Sequence, residues 1–117
     1  MKFTSKMEGD VGILMLKGKL IGQPETDELY NHVKDFLNRN INKIVIDCKY
    51  VSWLGSVGIG VLMRSIMSAR SAGGDVRFGG ISKKVLDLFS ITKIIGIIQV
   101  YNSETQAIES FNEKNNN

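Results

Sequence analysis

One cysteine, one histidine, one proline and one tryptophan are all that the 117 residues hold of these four types. Cys48 alone excludes an internal disulfide framework, and with His32 it falls short of a Cys/His zinc cluster. No apolar run approaches the ~18 residues of a membrane-spanning helix. The opening MKFTSKMEGD turns charged too early for a signal peptide, which points to a cytoplasmic protein. Phosphate-cradling loops are missing too. No Walker A string occurs, and Gly55, Gly58 and Gly60 are spaced wrongly for Gly-x-Gly-x-x-Gly. Serine chemistry needs a histidine base, and His32 lies in a helical stretch between Asn31 and Val33. With no paired carboxylates arranged for acid/base work, the expectation is a protein without catalytic residues, metal or cofactor.

What is present is a globular balance, 43% apolar and 23% charged, in a length that suits one domain. The expected domain spans residues 1–113, with a frayed polar tail over 114–117. The net charge of +3 is unevenly spread. Eight basic and three acidic residues fall between Lys43 and Lys93, a local +5, while seven basic and nine acidic residues elsewhere leave −2. That asymmetry favours an acidic partner surface. Without a basic run or an aromatic-laced strand pair, direct nucleic-acid binding is not expected.

Periodicity gives the order β-β-α-β-α-β-α-β-α. Two strands meet near Glu8–Gly12, and Val11, Ile13, Leu14, Met15 and Leu16 are dense enough for a strand covered on both sides. Leu20–Gln23 reads as a loop. Pro24 opens a helix whose first turns carry Glu25, Asp27 and Glu28, and Leu29, Val33, Phe36 and Leu37 form its apolar stripe. Lys43–Cys48 reads as a central parallel strand, and the residues after it as a loop carrying Trp53. A helix follows over Ser56–Ala72, with Ser56 at its cap and Met63 and Met67 in the core. It ends at Gly73–Gly74. Asp75–Gly79 is the next strand, Ser82 caps a helix over Lys83–Phe89, Ile94–Tyr101 is the last strand and Ser103 caps the last helix. Strands alternating with helices imply a mostly parallel sheet, with the first strand antiparallel at its edge.

The segment Val45–Gly60 runs from a strand across the carboxyl edge of the sheet into a small-residue turn and a helix, where open α/β sheets place their sites. Ser56 offers either a cap or a phosphoacceptor. Asp47 organises the strand end through backbone N–H bonds or bears on the serine, the former being preferred. Trp53 either closes the base of the sheet or, if exposed, anchors an interface.

These residues, followed by Val61-Leu62-Met63, Ala72-Gly73-Gly74 and Leu88-Phe89-Ser90-Ile91-Thr92-Lys93-Ile94, resemble the STAS domain of bacterial anti-sigma factor antagonists. The resemblance extends to Gly18 and to the Pro24-Glu25-x-x-Glu28-Leu29 opening. It implies an α/β STAS fold: a mostly parallel central sheet, an antiparallel N-terminal edge strand and about four helices. It also implies partner switching. The unphosphorylated protein binds an anti-sigma factor that is a serine kinase with a GHKL-type ATP fold, phosphorylation breaks the complex, and a PP2C-like phosphatase restores it. By position the phosphoacceptor is Ser56, and the expected partner-binding residues are Gly22, Gln23, Trp53, Leu54, Gly55, Ser56, Val57, Gly58 and Ile59. The chain departs from the pattern at Gly55 and Ile21, which replace acidic residues, and at Val57, which replaces a second serine. Those departures keep two alternatives open: a STAS interaction scaffold without phosphorylation, in another signalling or lipid-related assembly, and a small ligand-binding or enzymatic α/β domain. Self-association is left open.

Overall fold

A computed structural model describes residues 1–91 and 96–112. Its elements are β1 (Lys2–Glu8), β2 (Val11–Leu20), α1 (Glu25–Asn38), β3 (Lys43–Leu54), α2 (Ser56–Ser71), β4 (Asp75–Gly79), α3 (Lys83–Ile91), β5 (Gln99–Tyr101) and α4 (Glu104–Asn112). The strands lie side by side in chain order, β1-β2-β3-β4-β5. β1 and β2 form an antiparallel hairpin, and every later pair is parallel. The tail read as frayed, 114–117, lies outside the described residues.

Each parallel step crosses over through one helix. Stepping in one direction with a single hand sends those helices to one face of the sheet. The larger core shows the result: Leu29, Val33 and Phe36 of α1, Leu62 and Ile66 of α2, and Val85 and Phe89 of α3 pack on Leu14, Leu16, Ile44, Ile46, Val76 and Phe78. The opposite face carries α4, where Ala107 closes on Val11, Ile13 and Val45. Covered from both sides over their first halves, Val11–Leu16 of β2 and Ile44–Cys48 of β3 have no wet face, which is why they read as continuous apolar runs.

Several local readings change. Residues 49–54 continue β3 instead of forming a loop, because the ten-residue β2 keeps pairing with them, Lys17 opposite Tyr50 and Lys19 opposite Trp53, across two register irregularities. The last strand shrinks to Gln99–Tyr101. Positions 94 and 95 lie outside the described residues, and the Ile97 carbonyl accepts a hydrogen bond from Arg70 at 2.8 Å instead of joining the ladder. Met67 is exposed and Met63 only partly buried. The inward face of α2 is already filled by Leu62, Ser65, Ile66 and Ala69, and the Ser65 hydroxyl is satisfied by donating to the Val61 carbonyl at 2.8 Å. The caps at Ser82 and Ser103 form as read, accepting from Val85 N–H at 3.2 Å and Gln106 N–H at 3.1 Å. Gly73 takes the left-handed conformation, φ 85°, just after α2.

Candidate functional site

Two chain exits build the site. β2 ends at Leu20 and β3 at Leu54, and Gly55 N–H donates to the Leu20 carbonyl at 2.9 Å, tying one exit to the other. α2 then starts directly against that carbonyl, because Gly58 presents only hydrogen to it; a Cβ there would collide with the Leu20 oxygen. Gly55, extended at φ −90° and ψ 173°, is the N-cap and gives the helix no side-chain cap. Ser56 is therefore the first helical residue and not the cap read from the sequence. The physical reason is the Gly55–Leu20 bond, which fixes the turn one residue earlier. The Ser56 side chain is exposed and its Oγ makes no hydrogen bond among the described residues. With no acidic residue in the first turn of α2, the helix keeps unsatisfied N–H donors and the positive end of its dipole.

Exposed apolar side chains occur close by in the chain and across from Gly55. Val57 is 57% exposed, Ile21 53% and Trp53 38%. Ile21 backs onto Gly55, at 3.4 Å from where a Cβ would stand. Trp53, at the end of β3 and not in a loop, has the Lys84 ammonium 5.2 Å from its ring. Leu54, Gly58 and Ile59 are buried. These three expected contact residues shape the surface from beneath instead of forming it.

Gly22, Gln23 and Val57 reach a groove of about 900 Å³ between α1 and α2, whose other walls are Thr26, Asp27, Tyr30, Asn31, Lys34, Gly60, Val61 and Arg64. The hydroxyl of Tyr30, one of these lining residues, is 2.8 Å from Ser68 Oγ. The Arg64 guanidinium lies 4.0 Å from the Tyr30 ring centroid. The Ser68 hydrogen bond, with Arg64 adding to it, holds the Tyr30 phenol below its ordinary pKa. Tyr30, Arg64 and Ser68 carry no motif in the sequence. The signal that could have found them is two flanks at i, i+4 spacing, Thr26-Tyr30-Lys34 and Gly60-Arg64-Ser68, where the absent side chain of Gly60 opens the wall.

Asp47 is buried and faces the other way. Its Oδ1 accepts from Lys49 N–H at 2.9 Å, holding the irregularity within β3. On the α4 face it lines a recess of about 340 Å³ with Lys6, Lys49 and Glu104. Burial, followed by the Asp47 carboxylate, pushes the Glu104 carboxyl above its ordinary pKa, against the pull of Lys6 at 3.1 Å. Asp47 therefore belongs to this recess and not to Ser56. His32 stacks on Phe3 with centroids 5.2 Å apart. Cys48 is sealed in the core, and burial pushes its thiol far above the ordinary range, so it is not a nucleophile at neutral pH. Among the described residues no three His, Cys, Asp or Glu side chains gather to hold a metal, and no helix is long and apolar enough to cross a membrane.

The chain is similar over 114 residues to the Thermotoga maritima protein TM1081, assigned as an anti-sigma factor antagonist, at 29% identity covering 96% of this chain and 99% of that one. The crystal structure of TM1081 superposes with a TM-score of 0.85 at 28% identity, covering 95% of each chain. The anti-sigma factor antagonist SpoIIAA in its unphosphorylated form shares the fold at a TM-score of 0.80 and 16% identity, covering 95% of this chain and 96% of that one. Its phosphorylated form from Bacillus does so at 0.73 and 15%, covering 94% and 99%. The STAS domain model matches residues 2–107. A helix start laid on the exit of β2, a five-stranded sheet in chain order and this match together place the chain in the STAS domain family, with a close resemblance to bacterial anti-sigma factor antagonists.

Proposed function

We propose that the protein antagonises an anti-sigma factor through the surface around the first turn of α2, and that phosphorylation of Ser56 breaks the complex. The observation that carries this reading is the state of Ser56: exposed, without a hydrogen bond among the described residues and first in its helix, on a stretch that also exposes apolar Val57 and Trp53. A partner covering those side chains has to desolvate the hydroxyl. Phosphorylation adds roughly −1.5 to −2 charges and three acceptor oxygens at that point. Burying such a dianion against an unprepared partner costs several kcal/mol, and every ~1.4 kcal/mol is tenfold in affinity. Local repulsion and desolvation therefore suffice for release without a conformational change, while the helix dipole partly stabilises the phosphate within this chain. The STAS family supports an anti-sigma factor as the partner class; the proposal adds that this partner is a GHKL-type serine kinase and that a PP2C-like phosphatase reverses the reaction.

Titration of the cognate anti-sigma factor tests the reading. Ser56→Asp is expected to weaken binding by about 100-fold or more while leaving the circular dichroism spectrum unchanged; equal affinity of variant and wild type sinks it. Gly55 and Val57 favour a second reading, a STAS scaffold without phosphoswitching, since neither an acid nor a second hydroxyl flanks Ser56. Mass spectrometry after incubation with the kinase separates the two: one phosphate on Ser56 supports the switch, and none supports the scaffold.

A further inference from the structure

We propose that β1 pairs with β1 of a second copy, joining two sheets across a twofold axis at Ser5. Among the described residues β1 is an edge strand whose one sheet partner is β2. The turn fixes which of its backbone groups are free. Glu8 and Val11 are partners across a two-residue turn, Gly9-Asp10, with Gly9 at φ 61°. Such a turn makes Glu8 and Val11 a hydrogen-bonded pair. The alternation of an antiparallel ladder then turns Glu8, Lys6, Thr4 and Lys2 toward β2, and Met7, Ser5 and Phe3 outward.

Antiparallel pairing about Ser5 sets these outward residues against each other, Ser5 opposite Ser5 and Phe3 opposite Met7. Each exchanges its N–H and C=O with its partner residue. All seven residues of the strand overlap, and the side chains match. Phe3 and Met7, the latter 42% exposed, meet on the face where Phe3 contacts His32 of α1. Lys2 meets Glu8 on the opposite face, twice by symmetry, where Lys6 keeps its bond to Glu104. Lysines on edge strands ordinarily block strand addition. Here they select a register instead. Sliding by two residues one way sets Lys6 against Lys6, and the other way Lys2 against Lys6. Like charges directly opposite destabilise a pair. The Ser5-centred register is free of both clashes.

Sedimentation of the full chain across concentrations up to about 1 mM tests this. A reversible monomer–dimer equilibrium is expected for the wild type. Ser5→Pro, which removes an outward N–H and keeps the β2 pairing, is expected to abolish the dimer with its circular dichroism unchanged. Glu8→Lys is expected to weaken it about tenfold, and Lys2→Glu combined with Glu8→Lys to restore it. The proposal is overturned by a wild type that stays monomeric throughout, or by a folded Glu8→Lys variant that dimerises as tightly as wild type.

Discussion

Gly58 and Ser56 sit two residues apart and carry opposite kinds of information. Gly58 is fixed by contact: its hydrogen faces the Leu20 carbonyl, and a methyl there would displace either α2 or the end of β2. Gly58→Ala is therefore expected to destabilise the fold by about 3 kcal/mol, read as a lower urea midpoint. The Ser56 hydroxyl is exposed and makes no hydrogen bond among the described residues, so its substitution is expected to leave stability nearly unchanged and to act on the partner complex alone. Gly60, exposed with open space at its missing Cβ, matters differently, by leaving the groove wall low beside Arg64.

At the level of elements, α2 is a helix that starts without a side-chain cap while α3 and α4 start with serine caps. Gly55→Asp supplies the missing acceptor. The backbone there is extended and its Cβ would meet Ile21 at ordinary contact distance, 3.4 Å. Capping, a favourable dipole interaction and a stiffer unfolded chain each contribute a few tenths, so a gain of about 1 kcal/mol is expected in urea unfolding, with an unchanged m value. The elements themselves were legible in the sequence wherever apolar spacing was strong, as in β2 and α1, or a cap was present, as at Ser82 and Ser103. Two boundaries were not. The second half of β3 has an irregular burial pattern because its pairing with β2 shifts register twice, and a period of two does not survive such shifts. The last strand was overread because an apolar run alone does not reveal that the Ile97 carbonyl is taken by Arg70. The motif placed Ser56 at the start of α2, but the groove residues Tyr30 and Arg64 come from two helices brought together only by packing.

The molecule as a whole has a small electrostatic clasp on each side of the N-terminal hairpin. Asp10 is held below its ordinary pKa by Lys43, which donates to it at 2.9 Å, so its contribution is present above the unfolded value and lost as pH falls through the folded one. Glu104 runs the other way. Its folded value is raised, so its contribution is full below the unfolded value and lost as pH rises through the folded one. Glu104→Gln, which cannot ionise, is expected to gain stability relative to wild type between about pH 4 and pH 8, measured by urea unfolding at both; a difference that does not change with pH counts against the Asp47–Glu104 pairing. The strand order has a further consequence, for synthesis. Because every strand lies beside its predecessor in the chain, no strand waits for a later one to fill a gap between those already made. A chain leaving the ribosome can lay down its hairpin first and then add one strand and one covering helix at a time, a route of short loop closures that favours rapid folding.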